Sequence, residues 1–276
     1  CRAVLRRDAS AASEQLTICY PDQSFDIELA CGSRVVWSGA LRWEVRRDDQ
    51  VLAPTSSWRS TCWVSDGDCD YLELEIELGA GICMERRIVL ARKDRFLFLA
   101  DALLGDQPGR LEYCATLPMA AGVEFRGAKE SREGSLCASR AKRNAERRLA
   151  TVLPLALPEW RCDERVGELT ATSEGLELRQ AAFGKRLFSP LFVDLDPRRL
   201  GRELTWRQLT VAQTLVAQPV DVAVGYRVAV GKRQWLIYRS LAPKANRTVL
   251  GHNLSSESLV ARFDKKGEVE SIIEID

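Results

Sequence analysis

Aromatic residues stand beside arginines on several apolar stretches in the second half of the chain. The neighbouring pairs are Trp206-Arg207, Tyr226-Arg227 and Tyr238-Arg239, and Trp235 lies on the same stretch as the last pair. Guanidinium groups recognise carboxylate and sulfate groups through paired hydrogen bonds. Because adjacent residues of a strand point to opposite faces, each neighbouring pair places one side chain inward and one outward. Either the aromatics belong to the core, which is their commoner role, or the arginines line a cleft that grips uronates.

His252 is the only histidine among the 276 residues, so zinc sites with two or more histidine ligands are excluded. Any histidine-dependent catalytic dyad or triad would have to use this one residue. It lies in a Gly-His-Asn sequence, where a histidine is more often a structural hydrogen-bonding side chain than a base.

Three aspartates, Asp66, Asp68 and Asp70, alternate along one short segment. This spacing begins an oxygen-rich calcium loop, but an alternating strand pattern starts directly after it. Asp66-Gly67 is also a preferred two-residue hairpin turn, which would place Val64 opposite Cys69. The turn explains the segment without an ion, so the sequence predicts no metal site and no cofactor.

A basic stretch covers residues 126–148. Its basic residues are Arg126, Lys129, Arg132, Arg140, Lys142, Arg143, Arg147 and Arg148, against three acids. It is either a docking site for an acidic polymer or a solvated hairpin with its flank, and the second interpretation is favoured.

The charge balance and the hydropathy pattern exclude several classes of protein. The chain has 40 basic and 39 acidic residues, a formal net charge of +1, and therefore lacks the strongly basic footprint of a nucleic-acid-binding protein. Its apolar runs are too short for a membrane span. With 46% hydrophobic residues and no recognisable linker, we expect one folded domain over residues 1–276.

Nine cysteines are scattered along the chain, an odd number without a CxxC pair. Dispersed cysteines in a chain of this size are typical of a reducing compartment, so a cytoplasmic location is expected. Because the sequence starts at Cys1, a periplasmic protein or a lipoprotein is left open.

Short apolar runs between polar turns predict β-strands along most of the chain. Residues 72–78 alternate between apolar and acidic, as a strand with one wet face should. Residues 87–91 and 96–101 form two further strands around the charged turn at residues 92–95. Residues 138–150 fit a helix or a strand equally well. The pattern predicts an all-β fold, a large antiparallel β-sandwich with few short helices.

Two segments resemble a known family. The segment Arg86-Arg-Ile-Val-Leu-Ala-Arg-Lys-Asp-Arg-Phe-Leu-Phe-Leu-Ala-Asp101 and the closing hairpin at residues 260–275 are similar to the β-domain of heparinase II/III-like proteins. The resemblance implies an antiparallel supersandwich of the galactose-mutarotase-like type. In such lyases an α/α toroid supplies much of the catalytic machinery. The resemblance therefore implies a separate toroid subunit or an upstream domain as a partner.

The leading functional hypothesis is a noncatalytic sandwich that binds or scaffolds acidic polysaccharide. Its predicted contacts are Arg207, Arg227, Arg239, Trp206 and Trp235. The first alternative is a polysaccharide lyase that cleaves uronate-containing glycans by β-elimination, which needs a base and a group that neutralises the carboxylate. The candidate bases are Tyr226, Tyr238 and His252. A structural or assembly protein without a sugar ligand is the second alternative.

Overall fold

The computed structural model describes residues 1–10, 13–139, 146–163, 166–263 and 266–276. In chain order the strands are β1 (Arg2–Arg6), β2 (Glu14–Cys19), β3 (Asp26–Cys31), β4 (Arg34–Ala40), β5 (Arg42–Arg47), β6 (Gln50–Val51), β7 (Arg59–Ser65), β8 (Cys69–Leu78), β9 (Ile82–Ala91), β10 (Phe96–Leu117), β11 (Val123–Gly127), β12 (Gly134–Ser139), β13 (Glu146–Pro154), β14 (Gly167–Thr172), β15 (Gly175–Asp194), β16 (Leu204–Leu209), β17 (Ala212–Gln213), β18 (Val216–Ala217), β19 (Ala223–Val230), β20 (Arg233–Ser240), β21 (Arg247–Val249), β22 (His252–Leu254), β23 (Ser258–Phe263) and β24 (Val269–Ile275). A short 3-10 turn lies at Gly79–Gly81.

These strands form four antiparallel sheets. The N-terminal sheet contains β1 to β4 in sequence order, and the large sheet contains β5 to β15. The third sheet has the order β16-β19-β20-β23-β24, and the small sheet has the order β18-β17-β21-β22. In the large sheet β10 pairs with β5, β9 and β15. The predicted all-β antiparallel sandwich is confirmed, while its extent as one domain stays a prediction.

Alternation along the long strands produces a core on each side of the large sheet. On β10, Leu97 and Leu99 point into the first core, which the N-terminal sheet covers. Phe96 and Phe98 point into the second core, which the third sheet covers. A third apolar cluster lies between the third sheet and the small sheet. The layers therefore stack in the order N-terminal, large, third and small sheet.

Two sequence-based assignments fall partly outside the described residues. Within residues 138–150, β12 ends at Ser139 and β13 begins at Glu146, so the described part is strand, and residues 140–145 lie outside it. The closing hairpin pairs β23 with β24, but residues 264 and 265 of its turn lie outside the described residues. No helix in the described part of the chain has the length and hydropathy of a membrane span.

Candidate functional site

The charged turn between β9 and β10 forms the floor of a groove. The backbone of the turn is held at Arg95, whose N–H donates to Ala91 (2.9 Å) and whose carbonyl accepts from the N–H of Leu195 (2.9 Å). Arg95 adopts a left-handed conformation with φ of 50°. Within the turn the side chains of Arg92, Lys93 and Arg95 reach the surface, whereas Asp94 is buried.

Cations from three separate segments line this groove, which has a volume of about 680 Å³. We call it the basic groove; its lining residues are Arg7, Asp8, Gly67, Arg92, Lys93, Arg95 and Arg198. The side chains of Lys93 and Arg198 are the most open, with 62% and 78% of their surface exposed. Five cations therefore face one concavity that contains a single carboxylate.

The acidic partners of these cations are mostly buried beneath the groove. Arg92 pairs with Asp70 at 2.7 Å, Arg95 with Glu14 at 2.5 Å and Arg198 with Asp196 at 2.9 Å. The three carboxyl-bearing residues are all buried. A buried carboxylate is stable only when it is paired and hydrogen-bonded. The pairing therefore fixes the arginines from behind, while their side chains stay partly exposed in Arg92 and Arg95 and largely exposed in Arg198.

The same network favours the ionised form of two of its acids, Asp196 and Asp68. Burial raises the pKa of Asp196, but hydrogen bonds from Arg198 and the charge of Arg199 more than offset it, so its pKa lies below the ordinary value. Hydrogen bonds from Lys93 and then Arg262 lower the pKa of Asp68. These two carboxylates are thus ionised near neutral pH, with the cations on their outer side.

The basic groove lies where three sheets meet. Glu14 comes from β2 of the N-terminal sheet, and the turn belongs to the large sheet. Arg262 on β23 of the third sheet reaches Asp68 at 2.9 Å and Asp94 at 3.2 Å. The cations are consequently held by packed layers rather than by one loop.

The aspartate segment after β7 is a hairpin turn, as the favoured interpretation predicted, but the predicted register is wrong by one residue. The N–H of Asp66 donates to the carbonyl of Cys69 at 3.0 Å, so Gly67 and Asp68 occupy the turn. Val64 therefore stands opposite Tyr71 rather than Cys69. The carboxylate of Asp66 caps the turn by accepting two backbone N–H groups, which explains why the turn shifts.

Each carboxylate of that segment has a different partner. Asp68 binds Lys93 and Arg262, and Asp70 binds Arg92. Across the described residues no cluster of three or more histidine, cysteine or acidic side chains is suited to a metal ion.

The predicted aromatic contacts Trp206 and Trp235, with Tyr226, lie on the inner face of the third sheet, in the second core. The indole of Trp206 donates to the carbonyl of Leu157 at 2.9 Å, and that of Trp235 donates to Asp94 at 3.0 Å. Burial raises the pKa of Tyr226 well above its ordinary value. These aromatics are core side chains, and both indole N–H groups have partners.

The three predicted arginines do not share one surface. Arg207 and Arg227 stand opposite each other on β16 and β19 and are exposed, and Arg227 donates to Gln234 at 2.6 Å. Arg239 is buried on the other face of the third sheet, where it pairs with Glu85 and Glu257. This position leaves Arg239 no open side for a ligand.

Arg239 belongs to a set of charged residues at the rim of the second core. We call this set the buried ionic cluster; it consists of Tyr71, Glu73, Glu85, Arg87, Arg239 and Glu257. Glu73 was expected on a solvated strand face, but it is buried, because the third sheet covers that part of β8. Burial raises the pKa of Glu85, against the effect of Arg239 and Arg87.

The three candidate bases are not assembled. Tyr238 is buried beneath the small sheet and accepts a hydrogen bond from Arg247 at 3.3 Å, whereas Tyr226 lies on the opposite face of the third sheet. His252 is half-buried at the start of β22, with its ring centroid 6.5 Å from that of Phe263. Among the described residues no hydrogen bond joins His252 to either tyrosine.

The basic stretch at residues 126–148 is divided among different roles. Arg126 pairs with Glu124 at 2.7 Å on an exposed hairpin. Arg132 is fully buried and donates to main-chain carbonyls. Arg147 and Arg148 are exposed on β13. Arg140, Lys142 and Arg143 lie outside the described residues.

Sequence reasoning identified the turn at residues 92–95 but did not select its side chains as a site. Arg7 and Arg198 are distant from it in sequence, so only the fold could bring them to the same groove. The usable signal was the density of cations in a turn that joins two strands whose adjoining ends are buried.

Neither a protein-family model nor a curated protein matches the chain, but solved structures do. The heparan sulfate lyase HepC from Pedobacter heparinus matches with a TM-score of 0.51 and 12% identity over 86% of this chain and 41% of its own. A mutant of that lyase gives 0.52 and 11%. A heparinase III with methylated lysines gives 0.51 and 9%, over 86% and 40%. The chain spans about two fifths of the length of these structures and has the β-sandwich fold that they contain.

Proposed function

We propose that this chain is a noncatalytic β-sandwich that binds acidic polysaccharide, and that the basic groove is its contact. The observation that carries the proposal is the arrangement of five cations around one concavity, three of them with buried carboxylate partners beneath them. Such an arrangement is already positioned, so an anion meets donors that need no further ordering.

The chemistry of the groove favours carboxylate or sulfate groups. Four of its five cations are arginines, whose planar guanidinium matches both groups through paired hydrogen bonds. Lys93 and Arg198 are open enough to follow a chain of repeating charges. The solved lyases of similar fold include one named for heparan sulfate, which is consistent with this class of ligand.

The noncatalytic assignment rests on the positions of the candidate bases. Tyr226 and Tyr238 are buried on opposite faces of one sheet, and the groove contains neither of them. A lyase would need a base beside the group that neutralises the uronate carboxylate. Release of an unsaturated uronate, followed by its ultraviolet absorbance, would contradict the noncatalytic assignment.

Calorimetric titration with a uronate oligosaccharide and with a sulfated one tests the binding site. The double variant Lys93→Ala/Arg198→Ala should bind about tenfold more weakly at 0.15 M salt, because two charge-assisted contacts are lost. Arg42→Ala/Arg110→Ala is the matched control, since each side chain is 61% exposed but lies outside the groove.

Salt provides a second test. Attraction between exposed charges is screened as the Debye length falls from about 10 Å at 0.1 M to about 3 Å at 1 M salt, so wild-type affinity should fall steeply. Equal losses in the groove variant and in the Arg42/Arg110 control, or an affinity that ignores salt, would contradict the proposal. If only Arg227→Ala weakened the affinity, the binding site would lie on the outer face of the third sheet and not in the basic groove.

A further inference from the structure

A second concavity lies beside the edge of the third sheet and is separate from the basic groove. It has a volume of about 400 Å³ and is bounded by the segment after β13 and by β16. Volumes of about 300–1,000 Å³ are usual for small-molecule sites. We call it the tryptophan cleft; the lining residues that matter here are Glu159, Trp160, Trp206, Arg207 and Gln208.

The segment that forms one wall of the cleft is irregular but firmly held. Its four successive carbonyls at residues 157–160 all accept hydrogen bonds. The indole of Trp206 donates to Leu157 at 2.9 Å. Buried Arg132 donates through its side chain to Pro158 at 2.9 Å and to Trp160, and through its N–H to Glu159 at 2.9 Å. Because the backbone of this wall is hydrogen-bonded at every residue, little conformational entropy is lost in ordering it when a ligand binds.

Trp160 is the exposed member of this wall. Its exposure is 52%, whereas Trp206 beside it is buried. An indole face held at a cleft is a flat apolar platform of the kind that stacks against a ring. Because the Nε1 of Trp206 already donates to the main chain, that residue contributes only ring surface to the cleft.

Three polar side chains surround the platform. Since β16 is an edge strand, Arg207 and Gln208 both reach the cleft although they are adjacent in sequence. Among the described residues Arg207 has no ion pair. The carboxylate of Glu159 accepts from the hydroxyl of Thr205 at 2.5 Å and retains further acceptor capacity.

We infer that the tryptophan cleft binds an uncharged sugar unit, with one face of the ring on Trp160 and hydroxyl groups on Arg207, Gln208 and Glu159. One guanidinium and one carboxylate leave the polar lining without net charge, so it does not favour an anion as the basic groove does. Guanidinium and amide donors together with carboxylate and amide acceptors match hydroxyl groups, which both donate and accept. The inference is independent of the proposed function, since the two sites share no residue.

The test uses uncharged gluco- and galacto-oligosaccharides, with binding followed by tryptophan fluorescence and by saturation-transfer NMR. We expect saturable binding that Trp160→Ala weakens about tenfold, from the loss of the apolar area that the ring covers. Trp160→Phe should retain most of the affinity, and Arg207→Gln should lose about fivefold. Trp63→Ala is the matched control, because Trp63 is 46% exposed and lies on β7 of the large sheet.

The controls separate this site from the basic groove. Affinity for the uncharged sugar should be equal at 0.1 M and 1 M salt and unchanged in Lys93→Ala/Arg198→Ala. Circular dichroism verifies that each variant is folded. The inference is overturned by the absence of saturable binding to every oligosaccharide in the set, by equal effects of Trp160→Ala and Trp63→Ala, or by loss of binding at high salt.

Discussion

Two groups of arginines in this protein form the same kind of ion pair with carboxylates, but one group lies in the core and the other at the surface. Arg86 points from β9 into the first core, where Asp101 accepts from its Nε and from a terminal nitrogen, both at 2.7 Å. Its guanidinium also lies over the rings of Phe25, at 4.3 Å, and Trp58, at 4.9 Å. Two arginines of the basic groove, Arg92 and Arg95, lie just beyond the end of the same strand and are partly exposed.

The difference lies in where the carboxylate stands relative to water. Asp101 is buried with Arg86, and the hydroxyl of Tyr113 also donates to it, so this site is closed on every side. Burial lowers the pKa of Arg86, but Asp101 more than offsets it and keeps the arginine charged. In the groove the carboxylate lies behind the cation. Arginine content alone therefore does not indicate a binding surface; the side on which the acid lies does.

The largest effect that this comparison predicts is on stability. Arg86→Ala leaves the Asp101 carboxylate buried without its cation, and we expect a loss of about 3–5 kcal/mol in the free energy of unfolding. Urea unfolding monitored by circular dichroism measures it. Arg86→Leu/Asp101→Leu should lose much less than the two single variants together. A loss below about 1 kcal/mol for Arg86→Ala would contradict the structural role.

Substitutions in the buried ionic cluster should have an intermediate effect on the free energy of unfolding. Arg239→Ala removes a cation that Glu85 and Glu257 share, and because Glu257 is only partly buried we expect a loss of about 2 kcal/mol. Affinity of the folded variant for acidic oligosaccharide should equal that of the wild type. A variant of wild-type stability with impaired binding would instead place Arg239 at a ligand surface.

The pH dependence of the free energy of unfolding provides a second test of the buried ionic cluster. Burial raises the pKa of Glu257, but the charges of Arg239 and then Arg87 outweigh it, so the folded value lies below the ordinary 4.5. Glu257 therefore stabilises the protein above pH 4.5, and this contribution is lost as the pH falls through the folded pKa. Glu257→Gln should be less stable than wild type at pH 7, and the difference should disappear in acid.

Glu85→Gln is the matched control, since the pKa of Glu85 is raised. Protonated Glu85 therefore stabilises the folded wild type at low pH, and this contribution to stability is lost as the pH rises above 4.5 and through the folded pKa. Over that pH range Glu85→Gln should gain stability relative to the wild type. Unfolding titrations between pH 3.5 and pH 7.5, a window of roughly four units around the ordinary carboxyl pKa, compare the two slopes. Parallel slopes would show that the cluster does not act through these two carboxylates.

The smallest effect on stability belongs to the basic groove. Lys93→Ala/Arg198→Ala removes two exposed charges, while Asp68 keeps Arg262 and buried Asp196 keeps Arg199 as a partner. Exposed ion pairs add little to stability. The unfolding midpoint should stay within experimental error of wild type while binding of the acidic ligand weakens. A clear shift of the midpoint would show that the groove cations serve the fold, as Arg86 does.

The sequence predicted the architecture because alternation and turn composition are local signals. The strands around residues 92–95 and the closing hairpin follow from those signals. The position of Arg239 does not follow from them, because alternation predicted that one of Tyr238 and Arg239 would be in the core and the other in solvent. Both are buried, because the third sheet is covered on its two faces, and coverage by another layer is a long-range property.

The candidate site was harder to predict for the same reason. Arg7, the turn at residues 92–95 and Arg198 meet only after β1, β9, β10 and β15 have packed. The shift of the turn after β7 has a smaller cause: the Asp66 side chain accepts from the backbone N–H groups of Asp68 and Cys69, which selects a turn one residue later than Asp66-Gly67.

The length of β10 also affects how the chain reaches this structure. β10 pairs with β15 from Phe96 and Asp194 at one end to Leu117 and Leu176 at the other, so the partners are roughly sixty to a hundred residues apart, a separation typical of slow folding. Successive side chains of β10 point alternately into the first core and the second core. Neither core can close on a ribosome before residues 175–194 have been synthesised. Until then the 22-residue β10, whose first part is largely apolar, lacks its longest partner strand, and chaperones would have to protect this open edge from aggregation.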